Sequence, residues 1–120
     1  MHEDWLKEFE YKGFKCHIWK NPIGGFLCGY VDIPQSNPFH RDVANGWGIG
    51  KYTDLDVHGG ITFTKNNKDG NVRIGFDCGH LGDLIPNNSA VNMPGDTYKD
   101  EWYVTKELKH LVNQIAGDED

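Results

Sequence analysis

The sequence predicts an α+β fold: an antiparallel sheet of at least four strands, arranged as two hairpins, with a long C-terminal helix packed on one face. Three observations carry that expectation. Two pairs of short segments alternate apolar and polar residues across strong turn signals, and one C-terminal segment repeats apolar residues at the helical period. At 120 residues the chain has the length of a single domain, residues 1–120, able to bury one core.

Taking the elements in order, the first ten residues place Trp5, Leu6 and Phe9 between acids and suggest a short amphipathic helical turn. From Phe9 to Trp19 the pattern is extended, with Phe9, Tyr11, Phe14, Cys16 and Ile18 as its apolar positions. Asn21-Pro22-Ile23-Gly24-Gly25 is a turn, and Phe26 to Ile33 is a second strand closed by Pro34. Gln35 to Val57 is an irregular stretch with a helical turn near Arg41, and it carries Phe39, His40, Trp47 and Tyr52. Loops of that length in small domains are commonly functional.

Ile61 to Thr64 and Val72 to Cys78 flank the turn Asn66–Gly70 and form the second hairpin. Alternation assigns Ile61, Phe63, Val72, Ile74, Phe76 and Cys78 to the apolar face, leaving Gly60, Thr62, Arg73, Gly75 and Asp77 on a small polar face with room for a ligand. Leu81 to Asp96 is irregular. Thr97 to Ala116 reads as a helix, with Val104, Leu108, Leu111, Val112 and Ile115 on one stripe, a capping arrangement at Thr97 and Asp100, and Gly117 as its stop.

Composition bounds the function. Eighteen acids against twelve lysines and arginines give a net charge of −6, so the long-range field opposes a polymeric nucleic acid while leaving room for a small nucleotide. The three cysteines do not make a disulfide framework and read as reduced thiols. With a polar start at Met1-His2-Glu3-Asp4 and no long apolar run, a cytoplasmic protein without membrane association is expected.

The chemistry converges on two glycine-flanked histidines. Counting outward from the Asn66–Gly70 turn places His58 near the level of Cys78 to His80, with Asp56, Asp77 and Asp83 around the two rings. Three readings follow. His58, Asp77, His80 and Asp83 offer an oxygen and nitrogen ligand set for a divalent metal, although their spacing matches no established metal motif. Alternatively, His58 and His80 act without metal as general acid and base, oriented by Asp77 and Asp83, while the Gly59 and Gly60 amides hold an anion. The third reading is structural, with both histidines closing strand ends and Asp77 pairing with Arg73 or a turn amide. Thr62, Tyr30, Trp47 and Arg73 are candidate ligand contacts, the aromatic ones by stacking on a base. Cys78 shares the apolar face and is expected to be an inert buried thiol.

The segments Val57-His58-Gly59-Gly60-Ile61-Thr62-Phe63 and Ile74-Gly75-Phe76-Asp77-Cys78-Gly79-His80-Leu81-Gly82-Asp83, with Gly29-Tyr30-Val31 and the helix from Tyr98 to Gln114, resemble a family of small bacteriophage proteins. That family carries a His-Gly-Gly strand and a Phe-Asp-Cys-x-His-x-Gly-Asp segment. The resemblance implies a phage or prophage accessory protein acting in the host cytoplasm. By context it suggests a counter-defence role on a nucleotide-like ligand through two-histidine phosphodiester hydrolysis. Two-histidine phosphodiesterases carry paired His-x-Thr/Ser motifs, and His58 and His80 depart from that pattern. The alternative is a non-enzymatic binder, either a nucleotide sponge or an inhibitor of a host defence protein, for which a homo-oligomer is expected. A structural or assembly protein is a third class.

Overall fold

The computed structural model describes residues 4–44 and 55–117. A five-stranded antiparallel sheet has the spatial order β1-β2-β3-β5-β4, built from β1 (Lys7–Tyr11), β2 (Phe14–Lys20), β3 (Leu27–Ile33), β4 (Phe63–Asn66) and β5 (Val72–Asp77). A short helix, α1 (Pro38–Ala44), follows β3, and α2 (Glu101–Ala116) packs across β2 and β3. The expected α+β class and the single helix-covered face are therefore observed. Trp47 and Tyr52, with the rest of residues 45–54, lie outside the described residues.

The N-terminal segment departs from expectation. Residues 7–11 form a strand rather than a helical turn, and the extended run from Phe9 to Trp19 is two strands. Lys12 and Gly13 both take positive φ, 52° and 84°, and join Tyr11 to its partner Phe14. A two-residue loop with both central residues in that region matches the right-handed twist of its flanking strands. Lysine seldom adopts it, so the composition hid the turn.

The helix begins at Glu101, four residues later than the start of the segment read as helical. Asp100, not Thr97, is its N-cap, accepting a hydrogen bond from the Tyr103 amide, and Gly117 ends it at φ 81°. Val104, Leu108, Leu111, Val112 and Ile115 are all buried. They meet Cys16, Ile18, Val31, Ile33, Ile74 and Phe76 on the sheet. Gly29 admits this packing, because a Cβ there would lie 2.8 Å from Phe76 Cε1 and 3.1 Å from Leu108 Cδ2.

The opposite sheet face corrects a second expectation. Phe63 pairs with Gly75 and Gly75 with Tyr30, and residues directly opposite share a face. Phe63 therefore stands with Tyr30, Arg73 and Asp77, away from the core. That face is aromatic as well as polar: Tyr30 packs edge-on to Phe63 with centroids 5.2 Å apart and to Trp5 at 5.7 Å.

It also holds a charge network centred on buried His17 and Asp32, for which the sequence carries no local signal. His17 Nδ1 lies 2.9 Å from Glu8 Oε2, and its Nε2 lies 3.0 Å from Asp32 Oδ2. Arg73 donates to both Asp32 oxygens, at 2.7 and 3.1 Å. Burial alone would raise the Asp32 pKa, but the bonds from His17 and Arg73 outweigh it and hold the group at about 2. Arg73 is thus committed to a structural ion pair. It sits four residues from Asp77 along β5, roughly 13 Å at strand rise.

Candidate functional site

Two tight turns place the two histidines. The Gly60 amide donates to Val57 O at 2.9 Å, closing a turn that holds His58 and, at φ 70°, Gly59. Buried Leu55 and Val57 anchor that turn in the core. The Asp83 amide donates to His80 O at 2.9 Å, with Gly82 at φ 95° inside the second turn. Glycine supplies the left-handed conformation in each. The Gly60 amide is consequently occupied, so the expected anion cradle of Gly59 and Gly60 amides loses one of its two donors.

The turns bring the imidazole rings of His58 and His80 to a centroid separation of 6.2 Å. Asp83, 3 % exposed, lies between them. His58 Nε2 is 2.9 Å from each Asp83 oxygen, and the His80 amide donates to Asp83 Oδ2 at 3.0 Å. A lysine completes the carboxylate's shell, with Lys99 Nζ 3.1 Å from Oδ1. Burial would raise the Asp83 pKa, but the bonds from His58, the His80 amide and Lys99 prevail and lower it. Asp83 is thus ionised, and His58 Nε2 must be the donor to it.

The other nitrogen of His58 lies 2.9 Å from Tyr103 Oη, and the His58 amide donates to Glu107 Oε1 at 2.8 Å. Burial, with Glu107 next in weight, pushes the Tyr103 phenol upward, so it keeps its proton to offer to Nδ1. His58 is therefore saturated and positioned.

His80 differs. Its side chain is 36 % exposed, yet Nδ1 is buried without a hydrogen-bond partner, 3.4 Å from Asp77 Oδ1 and 3.9 Å from Asp83 Oδ2. His58, His80 and Asp83 can each turn one ligand atom into a group whose members all lie within 4.8 Å of one another. Asp77 stands beside this trio rather than within it. Its Oδ1 accepts from the Gly79 amide at 3.0 Å and its Oδ2 from Thr62 Oγ1 at 3.1 Å.

Of the expected members, His58, His80, Asp77 and Asp83 are thus brought together, with Thr62 one bond further out. Asp56 is not among them; its carboxylate meets His110 at 3.0 Å. Tyr30 is buried on the sheet face away from α2 and shares the lining of a recess with Asp77. Lys99, Tyr103 and Glu107 were not legible as site residues. Lys99 arrives through a lone parallel bridge between Asp83 and Thr97, a pairing with no local sequence signal. Tyr103 and Glu107 lie four apart on α2, a helical spacing that gives a weak signal for a shared face.

Cys78 is 1 % exposed in the core, and burial, followed by the nearby Asp83, pushes its thiol upward, so nucleophilic use of it is ruled against. Among the described residues no helix is long and apolar enough to cross a membrane. Comparison with protein-family models, with curated proteins and with solved structures finds no match for this chain.

Proposed function

We propose that His58, His80 and Asp83 bind a divalent transition-metal ion, and that the protein is a metal-dependent hydrolase of a phosphate-bearing, nucleotide-like ligand. The observation that carries this reading is the His80 Nδ1 atom, buried without a hydrogen-bond partner and facing the carboxylates of Asp77 and Asp83. An unsatisfied buried nitrogen costs about 1–3 kcal/mol, and coordination to a metal removes that cost. Donor atoms around a tetrahedral zinc ion sit roughly 3.3 Å apart. The 2.9 Å separation of His58 Nε2 from Asp83 is already close to that spacing, and His80 needs an inward shift of about one ångström.

The surrounding contacts support the same reading. With Nε2 on a metal, the His58 ring would carry its proton on Nδ1 and donate it to Tyr103 Oη, the outward hydrogen bond that fixes a metal-binding histidine. Two carboxylates face His80 while Lys99 is the ammonium against Asp83, so the local field attracts a cation and disfavours a bare phosphate. This favours metal chemistry over metal-free acid–base work by the two histidines. A divalent ion held by His58, His80 and Asp83 would lower the pKa of a bound water, whose oxygen would bond to phosphorus as the ester P–O bond breaks and the alcohol leaves with a proton. The phage counter-defence setting rests on the sequence resemblance alone and is part of the proposal.

The test pairs metal analysis of the purified protein with chromatography of a cyclic-nucleotide panel, incubated with and without EDTA. Stoichiometric metal and EDTA-sensitive consumption, both lost in His80→Ala, are expected. Consumption without metal would transfer the chemistry to His80 as an acid–base group, and ligand recovered intact would identify a binder. Either result overturns the proposal.

A further inference from the structure

We infer that the recess on the open sheet face, between Phe26, Tyr30 and Phe63 and ending at Asp77, is the binding site for an amino-bearing nucleobase. This goes beyond the hydrolase reading and does not depend on it.

The recess has a volume of about 260 Å³ and is lined by Asn21, Phe26, Tyr30, Thr62, Phe63 and Asp77, with buried Cys28 behind them. That space suits a planar ring and is below the usual range for sites that enclose a whole drug-sized ligand, about 300–1,000 Å³. Its walls are aromatic. The Tyr30 ring lies over Gly75, where a Cβ would come within 2.5 Å of Tyr30 Cδ1. Phe63 stands at 80° to the Tyr30 ring. Faces and edges of rings at right angles give a heterocycle both a stacking surface and an edge contact.

Polarity sets the rest of the chemistry. Among the described residues no lysine or arginine lines the recess, so its lining does not suit a phosphate. Its carboxylate is Asp77, whose two oxygens both serve as hydrogen-bond acceptors here. Thr62 and the Gly79 amide use one lone pair on each oxygen, leaving a lone pair on each for a ligand. A ring edge meeting Asp77 must therefore donate, as exocyclic amines of cytosine, adenine and guanine do. Asp77 also lies 3.4 Å from His80 Nδ1.

Nucleosides test this without involving phosphate or metal. Titration calorimetry would compare cytidine with uridine, and adenosine with its analogue lacking the 6-amino group. The amine-bearing member of each pair is expected to bind about tenfold tighter or better. Phe63→Leu, which keeps apolar bulk and removes the ring, is expected to weaken binding about tenfold while metal stoichiometry stays unchanged. His80→Ala is expected to lose metal and retain nucleoside binding. Equal affinity within each pair, no detectable nucleoside binding at millimolar concentration, or unchanged affinity in Phe63→Leu would overturn the inference. A protein that binds these nucleosides but holds no metal would instead defeat the hydrolase reading and leave the recess standing.

Discussion

Gly59 lies directly against the imidazole of His80. A Cβ at that position would fall 2.5 Å from His80 Cε1 and 2.6 Å from Nδ1, and the backbone there has φ 70°. The contact joins the two turns, because the glycine after one histidine makes room for the ring of the other.

Gly59→Ala is therefore expected to act twice. The left-handed conformation alone costs on the order of 1–2 kcal/mol for alanine, lowering Tm by several degrees in thermal denaturation. Displacement of the His80 ring should also reduce metal affinity at least tenfold by titration. Gly60→Ala shares the positive φ, 79°, but meets nothing within 4 Å, so it should lose stability while keeping its affinity for metal. Equal metal affinities in the two variants would refute the steric role of Gly59.

Asp83→Asn tests the buried carboxylate. The amide retains one acceptor and turns an NH₂ toward donors that include Lys99 and His58. Breaking a buried pair in this way costs about 3 kcal/mol or more, read as a lower urea midpoint with unchanged slope. Asp69→Asn, in the exposed turn between β4 and β5, should stay within about 0.5 kcal/mol of wild type.

Stability should fall in acid through Asp32. Its pKa is depressed from 3.8 to about 2 in the folded protein. A group lowered on folding contributes stability that is fully present above its unfolded pKa and lost as pH falls through the folded value. The loss should therefore develop between about pH 4 and pH 2 and amount to roughly 2 kcal/mol. Urea denaturation across that window checks it, and Asp32→Asn should flatten that part of the profile. An unchanged profile in the variant would remove Asp32 as the cause.

The thiols should be silent in the native state. Cys16 and Cys28 are each pushed up to about 12, chiefly by burial, with Asp32 raising the first and Asp77 the second. A disulfide reagent at pH 8 should label none of the three cysteines in native buffer and all of them in denaturant. Rapid native labelling of any one would show that it is more accessible than the fold allows.

The elements with strong local periodicity were legible before the structure. The stripe from Val104 to Ile115 could bury only as a helix, and the turn Asn66–Gly70 could only reverse the chain. Counting register from that turn sufficed to bring His58 and His80 together. Properties fixed by partners distant in sequence were not legible. Phe63 alternates with Ile61 along the chain, yet its pairing with Gly75 turns it to the opposite face. His17 and Asp32 become neighbours only through the β2–β3 ladder, since His17 pairs with Tyr30 and Lys15 with Asp32. Likewise, Lys99 reaches Asp83 only because Thr97 bridges to it.

The saturated ring of His58 has a practical consequence for work in cells. Through Tyr103 and Asp83 it fastens two turns to the helix, so its replacement would raise the unfolded fraction exposed to proteases and deplete the protein itself. A phenotype at His58 would then mix lost chemistry with lost abundance. His80, whose Nδ1 fastens nothing, is the residue at which the two separate.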